Sequence, residues 1–489
     1  MSGRRDHIVF TPRSARARLV RAVSSSSTRP ARRLLPHVRI GAAIALALVA
    51  APGNAQSVLR DAETEALFRD MSAPLIRASG LNPADVRVVL VGDKSINAFV
   101  AGGQVVYVHS GLIEAADSAN QVQGVIAHEL GHVAGGHAVI NPGAERATTI
   151  ALLSLLAGIA AGVAGSGEAG MGVMAAGQQA ALGSYLAFSR GQEATADAAG
   201  MRYLSAAGIS GRGSLEFFQK LLNQEMRFAV SQSDDAAYNR THPLSGDRIR
   251  FLRDSYSSDP AWTRASDAAI EARFLRVKAK LYGYVTEPAR VLQRYPASDT
   301  SVSARYARAY ALHRSAHPTE ALAEARALRA GAPNDPYFAE LEGQILLESG
   351  RPTEALAPLR EAVQATQAQP LIAALFGHAL IATENPANYA EAEQVLKAAV
   401  ARDNDNPFAW YQLGVIYTQR GDEARAALAT AERAMLIGET RLALISAERA
   451  GQVLPAHSPD ALRAQDIALV ARSRLERERR QSRQGRSAA

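Results

Sequence analysis

The sequence predicts a mainly α-helical protein in two parts: a helical domain with a small β-sheet, then an α-helical solenoid. Three observations carry that prediction. Two short β-branched runs, residues 86–91 and 104–108, stand just ahead of a long helical pattern. Inside that pattern, His128-Glu129-Leu130-Gly131-His132 sets two imidazoles four residues apart, on one helix face. In the second half, Pro318-Thr-Glu-Ala-Leu-Ala323 recurs identically as Pro352-Thr-Glu-Ala-Leu-Ala357, 34 residues later.

The chain of 489 residues has room for two or three domains. With 47% apolar and 21% charged residues it is an ordinary globular composition. The net charge of +7 is unevenly placed. Residues 1–55 hold ten Arg and one Asp, +9, so the remainder is −2. That balance argues against nucleic-acid binding as the main task. The basic start reads as an export signal over residues 1–55. Arg32, Arg33 and Arg39 precede an apolar run from Ile40 to Ala51, and Gly53 and Ala55 stand at −3 and −1 of a cleavage point before Gln56. The apolar run is short for a membrane span, so an uncleaved anchor is the alternative. Arg4-Arg5 marks a twin-arginine route as another option. The chain has no cysteine, which excludes a lipid-anchored lipoprotein, disulfides and thiolate metal ligands.

Taken in order, Val86–Val91 and Gln104–Val108 are expected as buried strands, with Gly102-Gly103 as a turn. The motif helix is expected from Ser118 to Val139, with Ser118 or Asp117 as N-cap and Val122, Val125 and Ile126 on its apolar face. Residues 149–165 are apolar and lead into a glycine-rich stretch. They read as a core helix followed by a loop near the active site, with a membrane span or surface contact as alternatives. A second helix carries Glu193 and Asp197, four apart on one face.

Beyond it the 34-residue period sets in. Gly343 and Gly377 repeat it, and Gly414 follows after 37, which implies a short insertion near Asn385–Tyr389. Trp410, Leu413, Gly414 and Tyr417 fit the W-x-x-L-G-x-x-Y signature of a tetratricopeptide helix pair. Three to four such pairs are expected between roughly 300 and 440, each burying its apolar face by stacking on its neighbours. From Arg472 onward seven Arg predict a fraying helix end and a disordered tail. The expected divisions are residues 56–262, 263–455 and a basic tail, 456–489.

The chemistry starts from the H-E-x-x-H motif. His128 and His132 can grip one metal ion, and Glu129 is placed to take a proton from a water on it. Catalytic zinc needs a third protein ligand. A histidine six residues past the second ligand would supply one, but position 138 is Ala, and His137 falls one residue short. His137 therefore reads as a residue behind the ligands or on the surface. Glu193 is the better third ligand, with Asp197 accepting a hydrogen bond from a ligand imidazole. On spacing alone the pair reads equally well as a solvated acidic helix face.

These motifs in this order resemble the zinc metallopeptidase family of the CAAX prenyl proteases and the bacterial protease HtpX. The resemblance covers roughly residues 65–255. It rests on Asn97-Ala98-Phe99, the run ending at Leu112, the H-E-L-G-H motif, and Ser189-Arg190 leading into Glu193, Asp197 and Gly200. It also includes Thr241-His242-Pro243 with Arg248 beyond. The chain departs from the integral-membrane members in lacking their several spans. The export signal and repeat tail are similar to a periplasmic branch that serves β-barrel assembly.

The resemblance implies one zinc ion per chain, held by His128, His132 and Glu193, with Glu129 as general base. It places His242 near the metal, either in the water position of a resting state or as an oxyanion donor, and makes Arg248 a supporting ion-pair partner. The expectation is thus a HExxH zinc metallopeptidase domain followed by a tetratricopeptide-repeat solenoid. Its expected role is periplasmic, with peripheral outer-membrane contact as an option, cutting unfolded or stalled outer-membrane proteins. The barrel assembly machinery would dock on the repeats. The strand at 104–108 is expected as an edge that an extended substrate joins. The rival expectations are a chaperone or scaffold with a mostly latent peptidase, and an integral-membrane protease using 149–165 as its span.

Overall fold

A computed structural model describes residues 57–137, 167–228, 242 and 244–487. The signal expected at 1–55 and the apolar run at 149–165 lie outside the described residues. Among those described, no helix is long and apolar enough to cross a membrane.

The first unit is a mixed domain. Four strands, β1 (Ser57–Leu59), β2 (Arg87–Gly92), β3 (Ala98–Ala101) and β4 (Val105–His109), form one sheet in the order β1-β2-β4-β3. β2 and β4 are parallel, and each has an antiparallel partner on its other side. β2 and β4 lie one residue C-terminal of their expected places. β1 and β3, three and four residues long, are too short to signal themselves. Gly102 and Gly103, at φ 64° and 95°, turn β3 into β4 in a conformation that side chains resist. The expectation that residues 104–108 form an edge is wrong: β4 is hydrogen-bonded on both sides, and the edge beside it is β3.

Helices α1 (Ala62–Ala78), α2 (Ser110–Ala115) and α3 (Ala119–Ala134) pack on the sheet, α4 (Gly167–Ala207) and α5 (Arg212–Phe228) pack on α3, and α6 (Gly246–Ser257) packs on α4 and α5. α3 is the motif helix. Ser118 caps it by accepting from the Gln121 amide. It ends at Gly135, four residues before the expected Val139, because Gly136 takes a left-handed φ of 66° and turns the chain away. Val122, Val125 and Ile126 are fully buried in the domain core, as their spacing requires.

The second unit is a solenoid of helical hairpins. A lead-in pair, α7 (Ala268–Val285) and α8 (Pro288–Arg294), is followed by α9/α10 (Val302–Arg314, Pro318–Gly331), α11/α12 (Pro336–Glu348, Pro352–Ala365) and α13/α14 (Pro370–Ala382, Tyr389–Arg402). Two more pairs, α15/α16 (Pro407–Gln419, Glu423–Leu436) and α17/α18 (Thr440–Val453, Pro459–Ser487), complete it. The identical hexapeptides open α10 and α12, each with its proline in the first turn, where a missing N–H costs nothing.

Gly343 and Gly377 mark close helix crossings. A Cβ there would stand 2.4 Å from Leu359 and 2.6 Å from Leu396. The inserted turn is a 3-10 helix, Pro386–Asn388, and it explains the 37-residue step to Gly414. The solenoid runs further than expected. Ala461, Ala464, Ile467 and Ala471 of α18 pack in its last core cluster, so the segment from 456 begins as a packed helix rather than a tail. Its helix is described through Ser487, with residues 472–474 and 476–483 exposed.

The two units are joined by α7. It packs on α1, α2 and α3 on one side and on α9 on the other. The start of α1 is itself enclosed by the solenoid, with Ala62 in a cluster with Ala339, Ala362, Leu371 and Ile372.

Candidate metal centre

α3 and α4 cross closely enough that a Cβ on Gly131 would lie 2.7 Å from the Ala196 carbonyl oxygen. Glycine at the variable position of the motif therefore lets α4 lie against α3, and this brings Glu193 over His128 and His132. The segment before α6 contributes His242, and α6 itself contributes Arg248.

One ligand atom from each of His128, His132, Glu193 and His242 lies within 4.8 Å of every other, and all four residues are buried. His132 Nε2 is 3.2 Å from His128 Nε2, and His128 Nε2 is 3.4 Å from His242 Nδ1. Glu193 stands 3.3 Å from His128, 3.3 Å from His132 and 3.0 Å from His242. Tetrahedral zinc with N and O ligands at its usual bond lengths has ligand-to-ligand edges of about 3.3 Å. Four such edges join His128 Nε2, His132 Nε2, His242 Nδ1 and Glu193 Oε1, and the other Glu193 oxygen makes the contact to His128. Three imidazole nitrogens and a carboxylate converge on one point at these distances. They fit a divalent cation, and the all-N/O set with no thiolate suits zinc.

The surroundings set the charge and orientation of these groups. Burial lowers the pKa of His128, but the Asp197 and Glu193 carboxylates outweigh it and push it up to about 10. His128 Nδ1 lies 2.9 Å from Asp197, and its ring meets Phe218 edge-on at 5.6 Å between centroids. Burial lowers the pKa of His132. Burial would raise Glu193 and Asp197, yet both are held well below the usual carboxylate range. His128, His132 and His242 do this for Glu193, and His128 and Arg248 for Asp197. Arg248 reaches both carboxylates: Nε is 2.8 Å from Asp197 and a terminal nitrogen is 3.0 Å from Glu193. Glu129 differs from all of these. Its carboxylate is fully buried, yet neither oxygen hydrogen-bonds to a described residue. His242 Nε2 lies 3.5 Å from one of them.

Every site residue expected from the sequence thus converges on one place. The solvated-face alternative for Glu193 and Asp197 is excluded, since both are buried. Sequence reasoning missed Phe218, whose only local signal is an apolar helix position. It also missed Glu271 of α7, which accepts from the Ala119 amide at 2.8 Å and the Asn120 amide at 3.2 Å and so caps the motif helix. Nothing local links residues some 150 positions apart.

Comparison with known proteins agrees with this geometry. The pattern of peptidase family M48 matches residues 59–255. Metalloprotease YcaL of Escherichia coli K12 is 30% identical over 194 residues, 38% of this chain and 69% of that one. Metalloprotease LoiP of the same organism is 33% identical over 180 residues, 36% of this chain and 64% of that one. A putative beta-barrel assembly-enhancing protease of Vibrio cholerae is 28% identical over 201 residues, 41% of each chain. The chain thus spans less than two thirds of the length of LoiP and of the Vibrio protein. The similarity centres on the domain that holds the metal centre, and the chain belongs to peptidase family M48.

Proposed function

We propose that this chain is an exported zinc endopeptidase. It hydrolyses peptide bonds of unfolded or misassembled envelope proteins in outer-membrane protein assembly and quality control, with the solenoid as docking platform. The observation that carries the catalytic part is the converging donor set beside a buried carboxylate, Glu129, that hydrogen-bonds to no described residue. His128, His132 and Glu193 are the ligands. Asp197 orients His128, and Arg248 holds Asp197 and Glu193 in place.

His128, His132 and Glu193 would hold the zinc ion, whose Lewis acidity would bring the pKa of a water toward about 7 and polarise the scissile carbonyl. Glu129, whose oxygens hydrogen-bond to no described residue, takes the proton from the attacking water and returns it to the leaving amine. His242 fills the fourth vertex of the donor set and leans its other nitrogen toward Glu129. In that position it excludes water and substrate. Swung aside, its N–H is available to the oxyanion that develops on the carbonyl. β3, the last strand of the sheet among the described residues, is the place for an extended substrate to add as a strand, which reads backbone more than side chains and suits unfolded segments.

The envelope role is supported by the export signal and by the Vibrio relative, whose name is that of a beta-barrel assembly-enhancing protease. We assign the hairpins to the tetratricopeptide class on their 34-residue period and the Trp410–Tyr417 signature. The barrel assembly machinery and stalled outer-membrane proteins are the partners. They dock away from α11–α13 where these enclose Ala62. The chain works in the periplasm, peripheral to the outer membrane.

The position of His242 also favours a second reading, a chaperone or scaffold whose peptidase is held latent. One assay separates the two. The purified protein, Glu129→Gln and His242→Ala are each given an unfolded reporter, with and without chelator. Cleavage by the parent or by His242→Ala, abolished by chelator and absent in Glu129→Gln, supports the peptidase. Cleavage only by His242→Ala makes His242 a latch. Inert proteins that all hold zinc would establish the scaffold instead.

A further inference from the structure

We infer that His137 is a positioning residue for the metal centre: it accepts the Nδ1 proton of His132 and so fixes the orientation of the second ligand. The inference rests on the assignment of His132 as a ligand through Nε2. That nitrogen faces the donor set, at 3.2 Å from His128 and 3.3 Å from Glu193. A neutral imidazole that ligates through Nε2 carries its proton on Nδ1, and this proton needs an acceptor. His128 has Asp197 for that purpose. For His132 the atom in place is His137 Nδ1, at 2.8 Å, with the two rings edge-to-face at 4.9 Å.

The end of α3 is built to deliver that ring. Gly136 takes a left-handed φ of 66°, its amide donates to the Val133 carbonyl, and the His137 amide donates to the carbonyl of His132 itself. This Schellman-type closure folds residue 137 back over the last turn. The ring then lies across Gly135, where a Cβ would stand 2.6 Å from His137 Nε2. Gly135 has an ordinary helical φ of −75°, so its backbone would accept alanine. What it cannot accept is a methyl group under the imidazole. The Gly135-Gly136-His137 segment thus does more than stop a helix. It carries an acceptor to the back of His132 within five residues, where His128 draws its own from a different helix.

The test is zinc affinity by chelator competition, with the thermal midpoint of the metal-free protein measured beside it. Loss of an outer partner of a metal ligand typically costs 10–100-fold in metal affinity. His137→Ala and Gly135→Ala are each expected to weaken zinc binding by about that factor. The apo midpoints should stay unchanged. His137→Asn, which keeps an acceptor near the Nδ1 position, should restore most of the affinity. The double variant should be no weaker than His137→Ala, because both changes remove one interaction. Wild-type affinity in His137→Ala, additive losses in the double variant, or an apo midpoint that falls along with the affinity would each overturn the inference. His132→Ala is the control for the underlying assignment. If it still holds zinc at wild-type affinity, the ligand assignment has failed rather than the role of His137.

Discussion

Two buried polar clusters lie in this molecule, and they follow opposite rules. At the joint between the units, Asp61 and Glu63 from the start of α1 meet Lys280 and Arg276 of α7. Lys280 is 2.5 Å from Asp61 and 3.4 Å from Glu63, Arg276 pairs with Glu63, and the Tyr306 hydroxyl donates to Glu63 at 2.6 Å. Arg276 also reaches Asp335 at 2.5 Å. Each of these acids faces a cation or a hydroxyl supplied by the chain. At the metal centre the donors face one another, and the Glu129 carboxylate hydrogen-bonds to no described residue. Burial of charge is common to both clusters, so burial does not mark the functional one. The mark is what the buried groups face: acids meet cations at the joint, and ligand atoms converge on one another at the metal centre.

That comparison can be broken by substituting one charge in each cluster. Glu129→Gln keeps the shape and removes an acid that is satisfied only when the site works. Turnover of an unfolded reporter is expected to fall by about 10²–10⁴, the usual contribution of a general base. Bound zinc and thermal midpoint should be retained. Wild-type turnover in this variant would sink the assignment of Glu129. Lys280→Met does the reverse. It leaves Asp61 and Glu63 buried without their lysine, and loss of one partner from a buried charge cluster costs about 3–5 kcal/mol. The denaturation midpoint should therefore drop, while zinc affinity measured on the folded protein stays the same. If Lys280→Met instead cost zinc and spared stability, the two clusters would not be the distinct things described here.

The contrast also explains what could be read from the sequence. The metal centre was legible because its chemistry is spelled in short spacings: His128 to His132 and Glu193 to Asp197 are both one helical turn. The repeats were legible because Pro318–Ala323 and Pro352–Ala357 are identical. What failed depends on pairings without local spelling. β3 is four residues long and alternates weakly, so the edge was placed one strand away, on β4. The segment from 456 reads as a tail because seven arginines crowd it from Arg472 onward, although Ala461, Ala464, Ile467 and Ala471 form a narrow stripe that packs on α17. The joint was invisible because Glu63 and Lys280 are more than 200 residues apart, and each reads alone as an ordinary surface charge. His242 had no signal of its own. It entered through resemblance, and the fold then set it among the other three donors.

A smaller effect sharpens the joint. Glu340 of α11 sits near Asp61 and Glu63 of α1 and Lys280 of α7, with one carboxylate oxygen buried and without a hydrogen bond among the described residues. Burial pushes its pKa from 4.5 up to about 8, with Asp61 and Glu63 adding to the rise and Lys280 opposing it. The folded state therefore keeps a proton that the unfolded chain has already released above about pH 4.5. Between these values the native state binds more protons, so stability falls as pH rises, by up to about 1.4 kcal/mol per unit, and levels off above about pH 8. Glu340→Gln removes the titration. Denaturant midpoints at pH 6 and pH 8 should differ for the parent and much less for the variant. Equal differences in both would show that Glu340 is ionised throughout.

The smallest expected effect tests whether the two clusters communicate. α7 carries Arg276 and Lys280 into the joint and, two turns earlier, carries Glu271 to the first amides of the motif helix. The helix that bears His128, Glu129 and His132 is thus capped at its N-terminus by the helix that opens the solenoid. A carboxylate there satisfies two amides that have no partner within the helix and complements the positive end of its dipole. Glu271→Ala removes both contributions but leaves the Ser118 cap, so the cost should be about 1 kcal/mol. Glu271→Gln keeps an acceptor and should recover about half of it. If α7 only supports the fold, zinc affinity is unchanged in both variants. If it sets the position of α3, zinc affinity falls in Glu271→Ala at a pH and temperature where the protein remains fully folded. Measuring both quantities on the same samples decides whether the solenoid merely stands beside the metal centre or holds one end of it.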